Sequence, residues 1–431
     1  MRRVHALAGL LLVAMVTTSA GMKSYLGHHV LSAQAMSEEQ LQVLQNLEHQ
    51  FDVLFLREPT PRLSTDIVVS PEDLNQVMTI MREAGMAASI LCSDLQSHID
   101  RERAEIAFSR RKRIMGSSMD YSVYRTIDEV NAVMKGWENS YPQLVKMKAL
   151  EHKTHESRTV YYLEIGTALD SNGNSNKPVI FVESLTHARE WITTASLIYV
   201  IDTLLKNFHN TKFESALTDF TWVVIPVVNP DGYDFTWTQN RFWRKNLRFY
   251  SSQRHCLGVD VNRNYDIKFG TVGVSPNCTS DIHHGLSPFS EPETQNVRDL
   301  FLQFKARIVS FLSVHAFSQL LLHPWSYTTP NTSTEVPDNL QQLKIMGNKM
   351  IQALAYNGKL YRMGTAYDLV GYAASGGSID WALAEKPGIY SYCFELRPQS
   401  FWQGGFMIPA TEIIPTGQEL LNSLMTMIQN L

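Results

Sequence analysis

The chain alternates between two hydrophobic spacings. Short continuous apolar runs, the mark of buried strands, are separated by stretches with apolar residues three and four apart, the mark of helices. Between residues 28 and 95 the pattern predicts strands at 29–31, 51–56, 66–70 and 87–92. Helices fall between them, one marked by Ser37 and Glu39 and running to Leu47, the other from Ser70 to Glu83 with Pro71 in its first turn. Strand, helix, strand, strand, helix, strand is the order of a small split β-α-β sandwich. Charged residues at 100–105 predict a further helix, and the basic run Arg110-Arg-Lys-Arg113 comes after it.

A second pattern begins at Thr126-Ile-Asp-Glu129, a capping box that opens a helix to about Asn139. Apolar strands follow at 145–151, 159–165, 179–183, 222–228, 308–314 and 389–394, with helices at 190–208, 339–356 and 412–430. Buried strands alternating with amphipathic helices predict an α/β sheet covered on both faces. There is no internal repeat.

Composition narrows the setting. A chain of 431 residues exceeds one small domain, and a net charge of −4 gives no reason to expect a nucleic-acid partner. Arg2, Arg3 and His5 precede an apolar run at 6–16 and then small residues at Thr18-Ser-Ala20. Residues 1–20 thus read as a secretory signal peptide, and no other stretch is long enough for a membrane helix. Secretion makes a disulfide between Cys256 and Cys278 the natural pairing, closing a Gly- and Asn-rich loop, with Cys393 a core filler. Asn277 and Asn331 open glycosylation sequons. A tetrabasic run between two folded regions reads as a processing site for an activating protease. The boundaries expected are a pro-segment at 21–113, with its globular part at 28–95 and a connecting helix and cleavage site at 96–113, then a main domain at 114–431.

Candidate chemistry sits where strands stop. His187 follows the 179–183 strand, with Glu190 three residues later in the first turn of the next helix. An imidazole and a carboxylate are two of the three protein ligands of a catalytic zinc. Alone, this pair is a frequent coincidence. His315 and Glu395, however, also stand at the carboxyl ends of apolar strands, the edge at which open α/β sheets bind ligands. His283-His284, in a Gly- and Pro-rich setting, reads as a surface loop.

Six stretches carry a resemblance. They are His187-Ala-Arg-Glu190-Trp, Asn240-Arg-Phe-Trp-Arg244-Lys, Gly258-Val-Asp-Val-Asn262-Arg263-Asn-Tyr, His315 before Ser318-Gln-Leu-Leu-Leu, Tyr372-Ala-Ala-Ser-Gly-Gly-Ser-Ile379-Asp-Trp and Phe394-Glu395-Leu-Arg397. In this order they resemble the zinc metallocarboxypeptidases of the A/B subfamily, over nearly the whole chain. The resemblance implies a mixed, mainly parallel eight-stranded sheet flanked by helices, preceded by a small α+β open-sandwich pro-domain that caps the active site. It implies one Zn2+ per chain on His187, Glu190 and His315, with Glu395 as general base. Arg244 would stabilise the oxyanion, and Asp260 would orient a ligand imidazole. Asn262, Arg263 and Tyr372 would clamp a substrate's C-terminal carboxylate, with Arg189 and Arg241 bordering outer subsites.

The partners implied are peptide and protein C-termini, with no membrane. Ile379 falls where basic-specific members carry an acidic residue. An apolar floor cannot neutralise a buried cation, so aromatic or aliphatic C-terminal residues are expected. The alternatives are B-type basic specificity, which would need Asp at 379, and an inactive peptide-binding paralogue, which would need a lost site residue. Ala316 and Phe317 depart from the family's usual Ser-Tyr pair, and Tyr367, Ser326 and Cys393 depart from its usual pocket residues. Pro398 after Arg397 predicts a cis peptide bond.

Overall fold

The computed structural model describes residues 21–61, 63–113, 120–169, 175–250, 256–329, 334–355 and 358–431. The expected signal peptide, the Asn331 sequon, the side chains of Lys112 and Arg113, and the chain just after Arg113 lie outside what it describes.

The N-terminal unit has the order β1 (His29–Ala33), α1 (Glu38–Gln50), β2 (Val53–Phe55), β3 (Thr65–Val69), α2 (Leu74–Glu83), β4 (Ala88–Cys92). The order of elements along the chain is the one the sequence pattern predicts, and the strands form one antiparallel sheet ordered β2-β3-β1-β4. Alternation along the strands assigns each face. Leu31, Ile67 and Val69 pack with Leu44, Val77 and Met81 into a small separate core under the two helices. Val30 and Val68 point the other way, into the main core. The open face of the sandwich is thereby closed by the rest of the chain.

The helix α3 (Leu95–Arg113) follows and is longer than expected, running through the basic residues to its last turn. Cations there suit the negative end of a helix dipole. Arg110 pairs with Glu129 at 2.7 Å.

The main domain runs α4 (Ile127–Ser140), β5 (Val145–Ala149), β6 (Tyr161–Ile165), β7 (Val179–Ser184), α5 (Trp191–Lys206), α6 (Thr211–Thr218), β8 (Thr221–Ile225), α7 (Pro230–Thr238), α8 (Pro292–Phe304), β9 (Ile308–Ala316), β10 (Leu320–Leu322), α9 (Leu340–Leu354), β11 (Arg362–Gly364), α10 (Ala366–Val370), α11 (Ser378–Glu385), β12 (Tyr390–Leu396) and α12 (Ile413–Ile428). The capping box at Thr126 and Glu129 is formed. Eight strands make one mixed sheet ordered β11-β10-β12-β9-β7-β8-β6-β5, with β12, β9, β7 and β8 mutually parallel. Helix α12 packs against α5 and α9 over the buried strands.

Several elements depart from the sequence reading. The predicted 222–228 strand stops at Ile225, because Pro226 cannot donate to a ladder. Asn229 then caps α7, its side chain accepting from the Gly232 amide, with Pro230 in the first turn. Helix α8 likewise begins on a proline, Pro292. The Arg397–Pro398 bond is cis as expected, and so are Ala316–Phe317 and Pro324–Trp325.

Candidate active site

Strands β7, β9 and β12 deliver three side chains to one edge of the sheet. β7 ends at Ser184, and a tight turn through Leu185, at φ 54°, brings His187 back over the strand end. Glu190 stands immediately before α5, one position outside the first turn in which it was expected. His315 and Glu395 are register partners on the parallel pair β9 and β12.

The convergence is close. His187 Nδ1 lies 2.8 Å from Glu190 Oε1, and His315 Nδ1 lies 3.0 Å from His187 Nδ1 and 3.1 Å from Glu190 Oε2. One donor atom from each of the three lies within 4.8 Å of the others, and all three residues are buried. The far nitrogen of each ring is taken. His187 Nε2 is 3.1 Å from Asp260 Oδ1, and His315 Nε2 is 3.0 Å from Ser313 Oγ.

Both His187 nitrogens face carboxylates, which only accept, Nε2 facing Asp260 and Nδ1 facing Glu190. A neutral ring has one proton for the two, and a metal on Nδ1 would leave that proton on Nε2 for Asp260. A bare nitrogen lone pair facing a carboxylate oxygen at hydrogen-bond distance is repulsive unless a cation lies between them. The donor set, two imidazoles and a carboxylate, is that of a catalytic zinc site. Burial and the nearby Arg244 charge push the His187 imidazole down, whereas at His315 burial is outweighed by the Glu190 carboxylate and the imidazole is pushed up.

Asp260 is shared. It accepts from His187, from Arg244 Nη2 at 2.8 Å and from the Asn262 amide at 3.0 Å. Burial alone would raise this carboxyl, but Arg244 and Arg263 hold it well below the usual range. Arg244 thereby has one edge fixed while Nη1 reaches within 4.0 Å of Glu190. Glu395 is pushed up to about 8 by burial and by the Glu190 carboxylate.

A cavity of about 200 Å³ opens on this edge. His187, Glu190, Arg244 and Glu395 line one wall. Asn262, Arg263 and Tyr372 line another, with Ile379 buried on the wall of the same cavity. Arg263 donates to the Gly273 carbonyl at 2.9 Å, and so does the Tyr372 hydroxyl at 2.7 Å. Two glycines permit this approach. At Gly376, with φ +72°, a Cβ would stand 2.3 Å from the Arg263 carbonyl, and at Gly273, with φ +61°, 2.0 Å from the Ala373 carbonyl.

The remaining expected residues divide. Arg189 lines the cavity but is held by Asp281 at 3.1 Å and by two backbone carbonyls. Arg241 does not line the cavity; it is buried under α3 against Glu102 and over the Trp191 ring. Ser326 and Cys393 line the pocket, whereas Tyr367 lines a separate cleft with His323 and Trp325. Cys256 and Cys278 are joined in a disulfide, and Cys92 and Cys393 are buried free thiols. His283 corrects the surface-loop reading: it is buried, its ring held by the Ser275 carbonyl and the Tyr250 hydroxyl.

The N-terminal unit was expected to cap the site, but sequence reasoning named none of the residues that do so. Leu56 and Arg57 line the cavity, and the Arg57 guanidinium donates to the Gln399 carbonyl at 3.1 Å. It also missed Glu183 and Ser313, buried behind His315. A charged residue inside the otherwise apolar run of β7 was the available signal.

A sheet edge carrying a His-Glu-His cluster, a raised glutamate and an arginine-rimmed cavity is the arrangement of a metal-dependent hydrolase. The family model for zinc carboxypeptidase matches residues 130–423, and that for the carboxypeptidase activation peptide matches residues 31–102. The chain belongs to the zinc carboxypeptidases. It is 34% identical to carboxypeptidase A1 of Bos taurus, over 98% of each chain. It is 36% identical to carboxypeptidase B of Astacus astacus, over 70% of this chain and 94% of the other. The crystal structure of carboxypeptidase A from Helicoverpa armigera superposes with a TM-score of 0.84 at 26% identity, covering 94% of this chain and 97% of that one. The chain is therefore a metallocarboxypeptidase with an activation segment, a protease-activated zymogen.

Proposed function

We propose that this enzyme is a secreted A-type carboxypeptidase, releasing aromatic and aliphatic residues from peptide C-termini with one zinc ion per chain. The single observation carrying the substrate class is Ile379, an apolar side chain buried in the cavity wall beside the Arg263 and Tyr372 clamp. In the expected division, residues 21–113 form the pro-segment and 114–431 the catalytic domain, and the leader-like residues 1–20 support secretion. Among the described residues no helix is long and apolar enough to cross a membrane.

His187, Glu190 and His315 would hold the metal, which when bound lowers the pKa of water and polarises a carbonyl. Glu395 takes the proton released in hydrolysis and returns it to the leaving amine. Arg244, locked by Asp260, presents a fixed cation to the charge growing on the carbonyl oxygen. Arg263 and Tyr372, with Asn262, bind the terminal carboxylate, which restricts cleavage to the last bond. Arg189 is a cation at the cavity rim for residues further from the C-terminus. Arg241 takes that role only after Glu102 departs.

The test compares activated enzyme on two peptides, one ending in Phe and one in Lys, with and without a chelator. Phe should be released faster, and only without chelator. Faster release of Lys would favour the B-type alternative.

A further inference from the structure

We propose that Ser313 and Glu183 fix the proton and the aim of the His315 imidazole, Ser313 as a positioning residue for the metal and Glu183 as the group that orients Ser313. The proposal rests on the reading of His315 as a zinc ligand.

Ser313 and His315 lie two apart on β9 and so face the same way. Glu183, on the neighbouring β7, is the register partner of Ser313. All three are almost completely buried. The Ser313 hydroxyl oxygen lies 2.9 Å from Glu183 Oε1 and 3.0 Å from His315 Nε2.

With Glu183 ionised and a metal on His315 Nδ1, these contacts leave one arrangement of hydrogens. The carboxylate can only accept, so the one hydroxyl hydrogen of Ser313 goes to Glu183. The serine oxygen then accepts from His315, which places the imidazole proton on Nε2. His315 Nδ1 is left bare, and it is the atom that faces Glu190 and His187. Without the carboxylate the hydroxyl is free to turn and donate to Nε2. The proton would then sit on Nδ1, where it blocks the metal.

The two ligand histidines are thus anchored differently. His187 meets its carboxylate, Asp260, directly, whereas His315 meets Glu183 through a serine. The indirect route frees Glu183 for a second contact. Ser378 Oγ donates to the same Oε1 at 2.6 Å, and the Ser378 amide donates to Asn262 Oδ1 at 2.9 Å. Ser378 opens α11 and immediately precedes Ile379. One buried carboxylate therefore sets both the aim of a metal ligand and the position of the pocket wall.

The test loads the full chain with cobalt(II) and follows its visible absorption and its loss to a chelator. Ser313→Ala and Glu183→Gln should lose cobalt about 10- to 100-fold faster than wild type, with altered absorption bands. Their metal-free unfolding midpoints should stay close to wild type, and Ser313→Thr, which keeps the hydroxyl, should retain cobalt within a few-fold. Either Ser313→Ala or Glu183→Gln holding cobalt as tightly as wild type, with the same spectrum, would overturn the proposal. If Ser313→Ala does not fold, Ser313→Thr decides: rapid loss of cobalt from it overturns the relay. A wild-type chain that takes up no cobalt would instead defeat the ligand reading itself.

Discussion

Glu102 and Arg241 form a two-pronged ion pair, with Arg241 Nε 2.6 Å from Oε2 and Nη2 2.9 Å from Oε1, both side chains nearly buried. Glu102 belongs to the activation segment and Arg241 to the body it covers, so the bond spans the two parts that activation must separate. Arg241 also donates to the Phe406 carbonyl and rests over Trp191, 3.7 Å from the ring centroid. The pair tethers α3 to the catalytic body independently of the peptide bond a protease cuts.

Removing one member of a buried pair strands the other and typically costs 3–5 kcal/mol. Glu102→Ala should therefore weaken retention of the cleaved segment by well over tenfold. Activity after cleavage should appear sooner than in wild type at equal cleavage, measured by following product release alongside gel analysis. An unchanged delay would show that the ion pair contributes nothing to retention.

The pocket wall gives a second prediction. Ile379→Asp places a carboxylate where the terminal side chain binds, next to the buried Asp380, itself pushed up to about 7 by burial. Desolvation opposes charging the new group until a cationic substrate enters. Cleavage of a Phe-ending peptide, as kcat/KM, should fall by at least about tenfold, and that of a Lys-ending peptide should rise. Retained preference for Phe would remove Ile379 from the specificity pocket.

Glu395→Gln tests chemistry apart from metal binding. The change is isosteric, and the Glu395 side chain hydrogen-bonds to none of the proposed ligands, so metal content should match wild type. Turnover should fall by about 10²–10⁴-fold, the usual contribution of a positioned general base. Metal analysis beside steady-state kinetics distinguishes this from a collapsed site; loss of the metal would place Glu395 among its ligands.

The features legible in the sequence were those with local signatures. β7, β9 and β12 are continuous apolar runs, and His187, His315 and Glu395 follow or end them, so both the sheet and its reactive edge could be read directly. Thr126 and Glu129 announced α4 through capping chemistry. β10 and β11 have three residues each, too few for any period to register. α7 and α8 each begin on a proline that reads equally well as a turn. Contacts between distant residues leave no local trace at all. Glu102 and Arg241 are separated by 139 positions, and Glu183 and Ser313 by 130. Their partnerships exist only because the sheet and the docked segment bring them together.

A final prediction concerns pH and Glu58, on the activation segment. Burial pushes this carboxyl up to about 7, opposed by Arg244 and reinforced by Asp281 and Glu48. Glu48, also raised by burial, acts in the same sense. Once the segment leaves, Glu58 meets water and should return toward an ordinary carboxylate value of ~4.3. Docking then favours the protonated form. Its stabilising effect is fully present below about pH 4 and is lost as pH rises through about 7. The cleaved segment should accordingly dissociate faster at pH 8 than at pH 5, by about one to two orders of magnitude at most. Glu58→Gln should flatten that dependence by removing the titration, leaving the smaller contribution of Glu48. Dissociation measured by the onset of activity at matched cleavage, across pH 5 to 8, checks both statements. A wild-type rate that slows with rising pH would reverse the sign and refute the linkage.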